Sequence, residues 1–384
     1  MRSLIRWFWP VAGAASVVAC ASPGVPPGGP VDTSAPQVTR IAPDSGRTGT
    51  SPRAVIFRFD EVVSERPAAT PTLESLVLIS PRDGAPRVEW GRDEISVRPR
   101  RNWRANTTYT VTLLPGLSDL RGNTRNTGAS TIFSTGAVLA RSRISGVVFN
   151  WAEGTIVPRA YVEAVILPDT NLVYATTADS AGNFVLANLP PATYRVRGLA
   201  DANGNRGLDP REVWDTTSIT LADSARAELL AFVHDSIGSR LESVSLSDSV
   251  TLRLSFDGPL ALSPPLALAN VQLRGADSVQ IPIASLSPPP VDTSATATGP
   301  RPSRPIPARV FLARLATPLR PGATYRVRVT GVRNLLGVER SSERSLVVPA
   351  TPAPVTAPAP GATPGRPPLP PPPPPPPAPS PIRR

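Results

Sequence analysis

Short apolar runs with alternating polarity recur along most of this chain. Ala54–Phe59, Leu76–Ile79, Arg87–Trp90, Glu94–Val97, Thr108–Leu113 and Thr131–Ser134 are each four to six residues long. They are rich in β-branched and aromatic types and are bounded by turn residues. With Val38–Ile41 they make seven runs in roughly 100 residues, the density of an antiparallel β-sandwich. A 3.6-residue period is present only weakly, at Ala225–Val233. The pattern predicts an all-β chain.

The later part of the chain repeats the earlier one. Val55-Ile-Phe-Arg-Phe-Asp60 matches Thr251-Leu-Arg-Leu-Ser-Phe-Asp257 in apolar phase and in its closing Phe-Asp, and Leu76-Val-Leu78 is echoed by Val271-Gln-Leu273. Ala105-Asn-Thr-Thr-Tyr-Thr-Val-Thr-Leu113 parallels Pro321-Gly-Ala-Thr-Tyr-Arg-Val-Arg-Val329, and the turns Asp119–Asn123 and Asn334–Gly337 follow. The shared order of blocks argues for two copies of one sandwich. Between the copies, Ile144-Ser-Gly-Val-Val148, Asp179-Ser-Ala-Gly-Asn-Phe184 and Leu189-Pro-Pro-Ala-Thr-Tyr-Arg-Val196 belong to a different module. There Asp179 and Asn183 suit an Asx-type turn, Gly182 a positive φ, and Phe184 and Tyr194 the core.

Composition locates the chain more than it explains it. One Cys, one His and no Lys among 384 residues exclude an intrachain disulfide, a Cys-rich zinc site and a lysine nucleophile. All 40 basic residues are arginine. Arg2 and Arg6 precede a short apolar stretch, Trp7–Ala19, too short to span a bilayer and suited to an export signal. The last 36 residues hold 18 of the 50 prolines, ending in eight consecutive ones (Pro370–Pro377), so they are expected to be a stiff polyproline II spacer.

These features resemble known families. Val17-Val18-Ala19-Cys20 resembles a bacterial lipobox, which implies cleavage before Cys20 and a diacylglycerol on its thiol. Ala21, rather than Asp, after it is similar to the outer-membrane sorting signal. Phe59-Asp60-Glu61, Asn106-Thr107 with Tyr109 and Val111, and Asp119, Gly122 and Asn123 resemble the S-layer (SbsA) type of bacterial Ig-like domain, as does Gly28-Gly-Pro-Val-Asp-Thr33 just after the lipobox. The later copy matches poorly, lacking the Glu after Phe256-Asp257 and the Asp of the late turn. The middle module is similar to carboxypeptidase-regulatory-like and Cna-B-like sandwiches. The family implies a cell-envelope setting and no catalytic residues.

The expected architecture is therefore tandem Ig-like and transthyretin-like β-sandwiches. Its parts are a signal peptide (1–19), a Pro/Gly tether (20–35), an SbsA-type Ig-like domain (36–137) and a carboxypeptidase-regulatory-like domain (139–223). A divergent second Ig-like domain (225–349) with an insertion (287–307) and a Pro-rich tail (350–384) complete it. Tether, insertion and tail are expected to be disordered.

One constellation suggests chemistry. Counting from Asp201, oxygen side chains fall at loop positions 1, 3, 5, 9 and 12, namely Asp201, Asn203, Asn205, Asp209 and Glu212. That is the ligand spacing of a calcium loop, although Arg206 stands where such loops carry Gly. The loop also resembles the calcium loops of Sdr-type B repeats; an Asx-bonded turn without metal is the alternative. His234, the single His, is the one base available for a nucleophile–base pair and reads better as a linker residue. Trp90, Trp103, Trp151 and Trp214 are candidates for stacking on sugar. The basic balance, +11 overall, is scattered, with its densest run at Arg98, Arg100, Arg101 and Arg104, and there is no recognition helix for nucleic acid. Expected partners are a membrane through the lipid, and an envelope glycan or other envelope proteins.

Overall fold

The computed structural model describes residues 31–67, 70, 72–290 and 300–350. The expected signal peptide, Cys20, most of the tether, the centre of the insertion (291–299) and the tail from 351 lie outside these residues. The described chain is all-β, and no helix in it is long and apolar enough to cross a membrane.

The first sandwich contains β1 (Val38–Ala42), β2 (Val55–Phe59), β3 (Val77–Ser80), β4 (Arg87–Trp90), β5 (Glu94–Arg98), β6 (Thr108–Leu113) and β7 (Ala129–Ser134). They form two antiparallel sheets, in the orders β1-β2-β5-β4 and β3-β6-β7. Alternation decides which side chains go inside: Val55, Phe57 and Phe59 face Val77, Ile79, Val111 and Phe133 across the core. Each such side chain contributes about 1.5–3 kcal/mol by leaving water. Trp103 meets Tyr109 and Phe133 edge-on, with ring centroids 4.8 and 5.1 Å away.

The second sandwich contains β8 (Ser142–Asn150), β9 (Thr155–Ile156), β10 (Tyr161–Ile166), β11 (Val173–Thr177), β12 (Asn183–Leu189), β13 (Ala192–Leu199), β14 (Val213–Leu221) and β15 (Ser224–Val233). One sheet, ordered β11-β10-β13-β14-β15-β8-β12 with β9 beside β8, closes over Ile144, Val148, Phe184, Tyr194 and Leu229. Phe184 and Tyr194 are buried there, and the Tyr194 hydroxyl donates to the Pro190 carbonyl at 2.6 Å. The sequence boundary at 223–225 differs from the structure at this point. The stretch Ala225–Val233 is neither helical nor part of the third module: β15 pairs with β14 and runs parallel to β8. Ala227, Leu229 and Ala231 face the core while Leu230, on the opposite face, is buried as well, and this nearly continuous apolar run blurs the strand period. Gly146 of β8 makes this pairing fit, because any Cβ there would strike the Ala227 carbonyl.

The third sandwich contains β16 (Leu241–Asp248), β17 (Thr251–Phe256), β18 (Val271–Gly275), β19 (Gln280–Ile281), β20 (Ile283–Ser287), β21 (Val310–Leu315), β22 (Thr324–Arg333) and β23 (Glu339–Val347). Its sheets run β16-β17-β21-β20 and β19-β18-β22-β23. Apart from the added β19, this is the strand order of the first sandwich, and a short 3-10 turn precedes β3 and β18 alike. The hydrogen bonds repeat as well. Tyr109 and Tyr325 each accept from the main-chain N–H five residues earlier, at 2.8 and 2.9 Å. Asp60 accepts from Gln37 N–H and Asp257 from Arg240 N–H, tying the first strand to the second in both copies. The first two sandwiches form one compact unit, and the third forms another.

A single five-residue turn occurs in all three. Asp119 Oδ1 accepts from the N–H groups of Arg121 and Asn123, and Asp179 Oδ1 from those of Ala181 and Asn183. In the third sandwich Asn334 Oδ1 accepts from Leu336 and Val338 in the same way. Glycine at the fourth position, Gly122, Gly182 and Gly337, supplies the positive φ. Burial acts to raise Asp119, but the Asn123 side chain and the N–H groups of Asn123 and Arg121 outweigh it and hold its carboxyl below the usual range. At Asp179 the Asn183 N–H does the same. An acid held low stabilises the fold above its unfolded value, about 3.9, and loses that contribution as pH falls through the folded value. Asp119→Asn keeps the acceptor but not the charge. It is expected to cost on the order of 1 kcal/mol at neutral pH, with the gap to wild type closing below about pH 4 in urea titrations of the first unit.

Candidate functional site

The loop singled out by its spacing connects β13 to β14. Asp209 Oδ2 accepts from the side-chain amides of Asn203 at 2.6 Å and Asn205 at 3.0 Å. Asn203 and Asn205 each accept from the N–H two residues on, forming consecutive Asx turns. Glu212, 8% exposed, reaches back across the loop, its two oxygens accepting from Ala202 N–H and Asp209 N–H. Asp201 Oδ2 accepts from Arg206 N–H at 2.9 Å, while its Oδ1 is buried without a hydrogen-bond partner. All five sequence-predicted residues lie on this loop, but among the described residues the carboxylate oxygens of Asp201, Asp209 and Glu212 do not gather within 4.8 Å of one another, and Asn203 and Asn205 turn their amide nitrogens to Asp209. A hard cation takes carboxylate and amide oxygens, and here most of those oxygens accept from main-chain N–H groups, Asp201 Oδ1 being the one without a partner.

Arg206, the departure from the calcium-loop pattern, has a structural explanation. Its φ is 55°, the left-handed backbone that glycine supplies in such loops. Its guanidinium leaves the loop and donates to the Val77 carbonyl at 2.7 Å and the Ser75 carbonyl at 2.5 Å, both in the first sandwich. Burial and the neighbouring Arg82 pull Arg206 below its ordinary value.

Around this contact the two sandwiches are joined by more than one type of interaction. Glu163 of β10, 5% exposed, accepts from Arg82 of the first sandwich at 3.0 Å and from Arg197 of β13 at 2.5 Å. Arg82 N–H donates to the Val173 carbonyl, and Ser80 Oγ accepts from Ala175 N–H. Leu78 packs with Tyr161, Ala175 and Leu199, and Trp214 lies against the same cluster. The Arg82 guanidinium sits 5.5 Å from the centre of the Tyr161 ring. Burial pushes the Tyr161 hydroxyl up to about 12. None of Arg82, Glu163 or Arg197 carries a motif, so sequence reading passed over them; the only signal was Arg206 standing where glycine was expected.

The motif residues of the first sandwich also meet. Carboxylate oxygens of Asp32, Glu61 and Asp119 lie within 4.8 Å of one another. Burial and then the charges of Asp32, Asp119 and Asp60 raise Glu61 above its ordinary value. Of the other sequence candidates, His234 follows β15 and is half-buried. Trp90 and Trp103 donate their indole N–H groups to the carbonyls of Val63 and Pro52. Trp151 and Trp214 are half-buried.

A family model described as a bacterial Ig-like domain matches residues 32–135, which is the first sandwich. No curated protein matches the chain. Among solved structures, domains 1–6 of the surface layer protein SbsC align at 15% identity over 83% of this chain and 41% of that one, with a TM-score of 0.20. A Bacteroides uniformis protein proposed to bind carbohydrate aligns at 11% identity over 54% of this chain and all (100%) of that one, with a TM-score of 0.19. An L,D-transpeptidase from Mycobacterium smegmatis aligns at 17% identity over 39% of this chain and 76% of that one, with a TM-score of 0.20. At these scores none of the three bears on function; the Ig-like assignment rests on the family match and on the strand order.

Glu163 has to balance two guanidiniums, so neutralising it should be felt through the whole first unit. Glu163→Gln is expected to lower the stability of that unit by about 1–3 kcal/mol, less than a fully dry pair because both arginines keep some contact with water. Chemical denaturation should show the loss in the first unit's transition and leave the third sandwich's unchanged.

Proposed function

We propose that the chain is a non-catalytic lipoprotein of the bacterial cell envelope, anchored at Cys20 and sorted to the outer membrane, in which Ig-like sandwiches act as a binding scaffold. The observation that carries this reading is the Ig-like match beginning at residue 32, a short Pro/Gly tether beyond the lipobox-like Val17–Cys20. The junction of the first two sandwiches supports it, because buried ionic and apolar contacts make them one stiff spacer. The conspicuous acids support it too: Asp60, Asp119 and Asp179 are committed to turn and strand-end hydrogen bonds. The middle module acts as a carboxypeptidase-regulatory-like domain, and partners are envelope glycans or proteins. Radiolabelled palmitate should mark the wild-type chain and not Cys20→Ala, which should leave the membrane fraction. A wild-type chain that takes no label and is found free in the medium would end the reading.

A second activity, calcium binding in the loop Asp201–Glu212, is favoured by the unsatisfied Asp201 Oδ1. Asp201, Asn203, Asn205, Asp209 and Glu212 would hold the ion, and the ion would stiffen the loop from which Arg206 reaches the first sandwich. Binding adds stability as RT ln(1 + [L]/Kd), about 2.7 kcal/mol at a hundredfold excess over Kd. Millimolar calcium should therefore raise the melting temperature of the first unit by about 5 °C in calorimetry of the mature chain, and Glu212→Gln should abolish the rise. The intact chain is the proper sample, since a piece ending at 223 would lack β15. An unchanged melting temperature would refute the site.

A further inference from the structure

Three strands of the first sandwich come together at a corner that is strongly basic. Arg87 opens β4 and Arg98 closes β5, and the ladder sets the two directly opposite each other. Residues opposed on an antiparallel ladder project from the same face, where like charges repel. Arg53 stands just before β2, and Arg101, Asn102 and Trp103 follow β5. With Arg87 and Arg98 they line a cleft of about 390 Å³. Glu89, two residues along β4, pairs with Arg98. Arg53, Arg87 and Arg101 are exposed and make no ion pair among the described residues. The nearby Asp83 is engaged with the main-chain N–H of Arg101. Four guanidiniums thus line the cleft beside two carboxylates, Glu89 and Asp83, and arginine keeps its charge at any physiological pH.

We propose that this cleft binds an acidic glycan. Guanidinium forks match carboxylate and phosphate oxygens two at a time, which a scattered positive surface does not achieve. The opposed Arg87–Arg98 pair is an arrangement that an anion seated between them would relieve. Trp103 forms an apolar part of the wall, its indole N–H already donated to Pro52, so it offers ring surface rather than another donor. The volume lies near the small end of ligand clefts, about 300–1,000 Å³, and suits a short stretch of sugar chain. Concavity also favours a soluble polyanion over a flat bilayer surface. The proposal deepens the binding side of the scaffold reading, on which it rests for access to envelope glycans, and the test is independent of lipidation.

Purified mature chain would be titrated with polygalacturonate, with neutral dextran as control and with inorganic phosphate and anionic phospholipid vesicles as competitors. Wild type should bind polygalacturonate and ignore dextran. The Arg53→Ala/Arg87→Ala/Arg101→Ala variant should lose about tenfold or more in affinity with an unchanged melting temperature, since the loss of even one charge-assisted contact is worth about that factor. The matched variant Arg253→Ala/Arg274→Ala/Arg328→Ala, on exposed strand positions of the third sandwich, has the same net charge and should bind as wild type. Arg87→Glu should weaken binding while holding or raising the melting temperature, because it replaces a like-charged opposed pair by an opposite one. Equal losses in the two triple variants would show that only net charge matters and overturn the proposal. So would absent binding, or binding to vesicles that polygalacturonate does not displace. The labelling of Cys20 would stand or fall separately.

Discussion

A carboxylate taken out of water must be met by charge or by hydrogen-bond donors, and the arrangement of the first unit follows from how Glu163 is met. One of its two cations, Arg197, belongs to its own sheet; the other, Arg82, comes from the neighbouring sandwich. Separating the sandwiches would leave Glu163 with half its compensation and would expose Leu78 and Tyr161 together. The ionic contact and the apolar contact therefore fail together, so the two domains act as one body. Arg206 adds a third tie of another kind, in which a guanidinium replaces water at two main-chain carbonyls at the start of β3. Arginine suits this role because one planar fork reaches both oxygens, whereas an ammonium is a single point.

What could be read from the sequence was what is local. The strands of the first sandwich were legible because their alternation survives in short windows, and the copy at 251–329 was legible because the same phases recur in the same order. The late turn of that copy was read as missing its Asp, yet Asn334 makes the same two hydrogen bonds. The turn needs an acceptor oxygen at its first position and tolerates its loss of charge. The equivalence of Asp119 and Asp179 crosses two modules of different topology and shows that this turn is a local solution independent of the sandwich it closes. β15 was illegible for the opposite reason. A strand whose side chains are buried on both faces, as at Leu229–Ala231, hides its alternation, and its pairing with β14 and with β8, about 80 positions earlier, reveals it.

The candidate loop was half legible. The spacing of its oxygens points to a loop that is in fact tightly hydrogen-bonded through Asn203, Asn205, Asp209 and Glu212, whereas Arg206 is a defect only when the loop is read alone. In the structure that arginine has two functions separable by atom: its backbone takes the conformation the loop requires, and its side chain serves the junction. The loop's order and the seating of the first sandwich are consequently linked. Nothing in residues 201–212 could have shown this, because the acceptors are carbonyls of Ser75 and Val77, which any residue type provides.

The same first sandwich separates its charges along one strand. Glu61 follows the last residue of β2 and meets Asp32 and Asp119, while Arg53 precedes the first residue of β2 and meets Arg87, Arg98 and Arg101. A five-residue strand rises roughly 17 Å, more than a Debye length at physiological salt, so neither cluster neutralises the other. Each must be satisfied from its own side. The acidic end is met by the main-chain donors of the Asp119 turn, and the basic end borders the second sandwich, where Arg104 lies 3.8 Å from Asp169.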